Sequence, residues 1–86
     1  MKLFVICVRD SAAQSFMAPS FAPSTGVALR AFRDECNRAA EDNLFYKHPE
    51  DVELFCLGTF DPETGVFDLE DSPKSLVRGK DCVVQQ

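Results

Sequence analysis

The chain has no tryptophan, one tyrosine, one histidine and four glycines in 86 residues. With His48 the sole imidazole, any Ser–His or Cys–His catalytic pair would have to use it, and no strand-to-helix elbow presents a nucleophile. No glycine-rich loop follows the first apolar segment, which removes the phosphate-cradling motifs. No apolar run reaches the roughly 18 residues a membrane span needs. The opening MKLFVICV imitates a signal peptide, but its apolar stretch is short and Arg9-Asp10 interrupts it, so it reads as a first strand. Without export, Cys7, Cys36, Cys56 and Cys82 are expected to be reduced. They form no close pair of the kind a zinc site uses, and they read as buried small hydrophobes. No HExxH or calcium-loop pattern occurs. The expectation is no enzyme, no cofactor and no metal.

What is present is globular in character. Hydrophobic residues make up 45% of the chain and eight residues are phenylalanine, the main source of buried area. The length fits one small domain, residues 1–86, whose core is modest unless a partner adds to it. Charge is uneven: residues 1–43 carry five basic and five acidic side chains, whereas residues 44–86 carry four and nine. The net charge of −5 gives little of the counterion release that drives nucleic-acid affinity, leaving only a local basic face for such binding.

Lys2 to Val8 alternates Leu3, Val5 and Cys7 against Phe4, Ile6 and Val8, which predicts a strand covered on both faces. Residues 11–24, SAAQSFMAPSFAPS, hold Pro19 and Pro23 and predict an ordered loop whose Phe16, Met17 and Phe21 plug the core or face a partner. Ser24 or Thr25 caps a helix expected to run to about Asn43, with Leu29, Phe32, Cys36, Ala39 and Asn43 as its inner face. Arg30, Arg33 and Asn37 share the outer face with Arg38 nearby, and Arg30–Asp34 and Arg38–Asp42 are spaced as ion pairs. Phe45-Tyr46-Lys47-His48-Pro49 breaks the pattern. A strand Glu53–Phe60, an Asp61-Pro62-Glu63-Thr64-Gly65 turn and a strand Val66–Leu69 then predict a hairpin. Residues 72–86 either add an edge strand or form a loose tail.

The predicted architecture is α+β: one long helix packed on a small, mainly antiparallel three- or four-stranded sheet in the order β-loop-α-β-β, with an open C-terminal element. The helix covers one apolar face. The other needs a cover, either the phenylalanine-rich loop or a second copy of the chain, which makes a homodimer a structural expectation.

Two surfaces are candidates. Arg30, Arg33 and Arg38, with Lys2, Arg9 and Lys47 and the rings of Phe16 and Phe21, form a candidate nucleic-acid site with Tyr46 as a further stacking ring. Tyr46, Lys47, His48, Glu50 and Asp51 form a candidate interaction surface before the second strand. The acids there, with Glu53, fit hydrogen bonding at the strand start or a partner surface better than metal or acid–base chemistry.

The opening MKLFVI, the passage APSFAPSTGVALRAF and above all LFYKHPEDVELFCLGTFDPETGVF, taken together, resemble the small non-structural protein of the gokushoviruses, a Microviridae branch of single-stranded DNA bacteriophages. The resemblance covers essentially the whole chain and is loosest after Leu69. The shared pattern includes Pro19, Phe21, Gly26, Lys47, His48, Pro49, Glu50, Asp51, Gly58 and Phe60, and leaves out Cys36, Cys56 and Cys82. It implies a product that stays out of the capsid and acts in the host cytoplasm. Its implied work is viral genome replication or packaging, by binding single-stranded DNA, with no catalytic residues supplied. The alternative is a dimeric adaptor that contacts a viral or host replication protein without touching DNA.

Overall fold

Alternating apolar residues on both sides of Leu3–Asp10 make this segment (β1) the natural centre of a sheet. The computed structural model, which describes residues 1–84, places it there. One edge of β1 pairs with Val52–Asp61 (β4); the other is shared end to end by Ser15–Phe16 (β2) and Ser20–Ala22 (β3). Val66–Arg78 (β5) pairs with β4, so the sheet reads β2-β1-β4-β5 with β3 beside β1, antiparallel throughout. The expected α+β architecture is the observed one. The loop over residues 11–24 carries the two short strands β2 and β3.

Thr25–Cys36 forms helix α1, which starts where Ser24 Oγ accepts from the Val27 amide at 3.1 Å. Its inner residues Ala28, Phe32 and Cys36 pack on Ile6, Leu54 and Cys56 of the sheet, with Val52, Ala22 and Cys82 completing the core. Phe45 closes one end with its ring edge-on to Phe32 at 5.6 Å, a pair worth about 0.5–1.5 kcal/mol beyond its buried area.

The helix stops at Cys36, not Asn43, which corrects the longer span expected from the spacing of Ala39 and Asn43. Two asparagines end it, because their amides compete for main-chain partners. Asn37 Nδ2 donates to the Arg33 carbonyl at 2.8 Å and to the Cys82 carbonyl at 2.9 Å. Buried Asn43 donates to the Glu35 and Arg38 carbonyls and, through Oδ1, caps the short helix Leu44–Lys47 (α2) by accepting from Phe45 N–H. A 3₁₀ turn, Pro49–Asp51, then leads into β4.

Three irregularities shape the sheet, one of them an extra Leu76 in β5 between Val77 (against Leu54) and Ser75 (against Phe55). Val5 pairs with Gly58 and Ile6 with Cys56, so Leu57 is an extra residue in β4. Opposite it, β5 passes from Leu69 (against Gly58) to Lys74 (against Cys56), and Glu70–Pro73 stand out unpaired. Gly58 has φ +146° where the β5 backbone at Asp68 and Leu69 comes closer than any side chain would permit. The hairpin beyond it turns as expected: Asp61 Oδ1 accepts from Glu63 N–H at 2.9 Å and Gly65 takes φ +75°. The second strand of the hairpin is longer than Val66–Leu69. Residues 72–78 lie in β5, Gly79–Asp81 form a 3₁₀ turn, and Cys82 is buried against α1. Residues 85–86 fall outside the described residues.

Candidate nucleic-acid interface

The face of the sheet opposite α1 carries most of the aromatic surface. Ile6, Leu54 and Cys56 face the helix, so strand alternation turns Leu3, Val5, Cys7 and Arg9 of β1 the other way. Their partners follow them. Cys7 pairs with Phe55 and Leu3 with Phe60, which is opposite Phe67 of β5.

The short strands add two more rings. Phe16 meets Phe55 edge-on at 5.3 Å, and Phe21 lies 5.5 Å from Phe60 and 6.3 Å from Phe67, which are themselves 4.8 Å apart. Five phenylalanines thus share one face, and the loop provides the cover that this face needed. The cover is partial: Phe16 is 42%, Phe21 49%, Phe67 50% and Leu69 58% exposed. Exposed apolar surface of this kind makes the face a candidate contact site.

Charge borders the rings at one end. At one end Arg9 pairs with Phe16 on one side and Glu53 on the other, and Glu53 with Arg78. The face therefore ends in a row with two guanidinium groups and one carboxylate, and Ser75 Oγ donates to that carboxylate. At the other end, exposed Lys2 lines a shallow hollow with Thr59, Asp61, Val66, Phe67 and Asp68; of these only Phe67 holds an aromatic-side position, so Lys2 falls on the helix side of the sheet among carboxylates. From the Arg9 row to the Leu3 row is six residue steps of β1, roughly 20 Å at the usual strand rise.

The expected nucleic-acid residues divide between two layers. Phe16, Phe21 and Arg9 share the aromatic face, whereas Lys2 lies at its Leu3 end on the helix side. Arg30 and Arg33 lie exposed on α1, whose inner residues pack on the other side of the sheet. Arg38 lies beyond the helix end. Its Nε is 2.7 Å from Glu35 Oε1, which corrects the expected Arg38–Asp42 pair. Among the described residues the ion pairs are this one and His48–Glu50, so Arg30–Asp34 does not form. The Arg38 guanidinium holds the Glu35 carboxyl below its ordinary range. Lys47 is exposed at the end of α2, outside the strands that carry the rings.

Residues that spacing did not reveal are Phe55, Phe60, Phe67, Leu69 and Arg78. Phe55 and Phe60 are five apart, so strict alternation assigns them to opposite faces. The extra Leu57 brings them to the same one.

The interaction surface Tyr46, Lys47, His48, Glu50 and Asp51 lies on α2 and the 3₁₀ turn. The turn gathers what the sequence could not place. His48 Nδ1 is 3.4 Å from Glu50 Oε1, and one ligand-capable atom each of His48, Glu50 and Asp51 lies within 4.8 Å of the others. His48 and Glu50 are exposed and Asp51 is partly buried, while Glu53 belongs to the aromatic face instead.

The thiols are poorly suited to nucleophilic work. Burial raises Cys7, whose Sγ donates to the Met17 carbonyl, and pushes Cys36 up to about 11 with Cys82 and Glu35 adding to the effect. Among the described residues, no helix is long and apolar enough to cross a membrane.

No curated protein and no solved structure matches the chain. A family model does, over residues 3–82, and its description is Phage ORF5 protein. With nearly the whole chain matched, from the start of β1 to buried Cys82, the protein belongs to the Phage ORF5 protein family.

Proposed function

We propose that this small phage accessory protein binds single-stranded DNA on the aromatic face of its sheet and serves genome replication or packaging in the host cytoplasm. The observation that carries the reading is the placement of Phe16, Phe21 and Phe67, each about half exposed, on one face of the sheet that ends in the row of Arg9 and Arg78. Unpaired bases stack on such rings without sequence preference, and the flanking cations meet the phosphates. A duplex hides its base faces and gains nothing from the rings. The resemblance to the gokushovirus protein supports the same role and the narrower viral assignment. No catalytic step is assigned. The raised thiols and exposed His48 are consistent with that.

A second reading rests on charge. Asp61, Glu63, Asp68, Glu70 and Asp71 crowd the β4–β5 hairpin of a chain already at −5. That favours an adaptor whose acidic arm meets a basic surface on a viral or host replication protein.

Fluorescence anisotropy with a labelled oligothymidylate separates the two. The DNA reading expects binding that weakens with added salt and exceeds duplex binding. Phe21→Ala or Phe67→Ala should each lose about 1–3 kcal/mol. Arg9→Ala should weaken binding more than Arg30→Ala or Arg33→Ala. Absence of binding at low salt overturns the DNA reading and leaves the adaptor.

A further inference from the structure

Glu53 stands between two cations and pairs with neither. Arg9 is opposite it on β1 and Arg78 opposite it on β5, so the three side chains share one row. Val52 and Leu54, its neighbours along β4, are buried in the core under α1, which turns the row to the aromatic face. All three residues also line one small hollow at the strand ends. Yet the ion pairs among the described residues are Arg38–Glu35 and His48–Glu50, so both guanidiniums of the row are unpaired. The Glu53 carboxylate is taken up instead by Ser75, whose Oγ donates to it. Of the other acids bordering the hollow, Glu50 lies against His48 and Asp51 is partly buried.

A carboxylate flanked by two arginines is the natural partner of either, because the guanidinium fork matches it. The same fork matches a phosphate, so an Arg–Glu53 pair would occupy the N–H groups that a phosphate needs. With no carboxylate in the row, two like charges would face each other across two strand spacings, roughly 10 Å. A carboxylate kept in the row but held by a hydroxyl meets both demands. It offsets the repulsion and leaves the forks open. Phe16 is opposite Arg9 in the same row, so a base stacked on its ring brings a phosphate beside them.

We propose that Ser75 is a positioning residue for single-stranded DNA: by holding the Glu53 carboxylate, it keeps Arg9 and Arg78 open to a phosphate of the strand that stacks on Phe16. This rests on the DNA reading and deepens it. Ser75 acts through Glu53, and Glu53 sets how strongly the row attracts phosphate.

Anisotropy with a labelled oligothymidylate at low salt tests it, with circular dichroism confirming that each variant folds. Ser75→Ala frees the carboxylate to pair with an arginine. It should weaken binding about two- to fivefold, the worth of one exposed ion pair. Glu53→Gln removes the competitor and should tighten binding by at least that factor. The double variant should bind as Glu53→Gln does, because the hydroxyl then has no carboxylate to hold. Packing lost with the hydroxyl would appear in both backgrounds, so the cycle isolates the coupling. Ser75→Thr keeps the hydroxyl and should keep the parent affinity. Equal losses in the two backgrounds, or no loss in Ser75→Ala, would overturn the proposal and leave the DNA reading in place. A parent chain that binds no DNA at low salt would overturn both.

Discussion

The side-chain amide of Asn43 donates to the main-chain carbonyl of Glu35 at 2.8 Å, and again to that of Arg38 at the same distance. One buried side chain thus closes the end of α1 and opens α2. Asn43→Ala strands two carbonyls and removes the cap on Phe45, and should cost about 2–4 kcal/mol in urea unfolding. Asn43→Asp is the sharper variant. It keeps the acceptor for Phe45 N–H but turns a carboxylate toward two carbonyl oxygens. It should be no more stable than Asn43→Ala. Parent-like stability in either variant would show that the clamp is not needed.

Gly58 is the second sensitive point. Its φ of +146° is open to glycine and to few other residues, and a Cβ there would collide with the backbone of Asp68 and Leu69. Gly58→Ala should destabilise the fold by about 2 kcal/mol or more. It should also lift the hairpin from β4, giving faster amide exchange at Asp68 and Leu69 than in Leu54 or Cys56. Gly65→Ala shares the positive φ but meets no neighbouring atom, so its cost should be smaller.

Alkaline pH should act through Cys36. Its thiol is pushed up from 9.0 to about 11, chiefly by burial. Between those values the unfolded chain gives up a proton that the folded chain holds. Stability is therefore undiminished below about pH 9 and falls as pH rises toward 11, by up to about 2–3 kcal/mol from this group. Cys7, raised by burial, adds in the same direction. Cys36→Ala should lower stability at neutral pH through the cavity it leaves, yet show a flatter profile above pH 9. An unchanged slope would place the titration elsewhere.

Much of this molecule is decided by short-range chemistry, which is why it could be read from residue order. The apolar alternation of Leu3 to Val8 requires a covered strand, Ser24 caps α1, and Asp61-Pro62 with Gly65 sets a hairpin turn. Each depends on neighbours within a few positions. The helix end was not legible, because Ala39 and Asn43 continue the helical spacing, whereas the bonds that stop the helix reach from Asn37 to Cys82 and from Asn43 back to Glu35.

The candidate site was legible only in part, for the same reason. Phe16, Phe21 and Arg9 could be named, but their separation from Arg30 and Arg33 depends on which face of the sheet α1 covers. The sequence by itself determined the class of fold, the hairpin and the supply of aromatic side chains. Tertiary structure decided where those side chains gather. One extra residue, Leu57, is accommodated because Gly58 lets β5 approach, and that shift brings Phe60 to the face of Phe55. A bulge changes side-chain parity along a strand, and its position depends on what the neighbouring strands will accept.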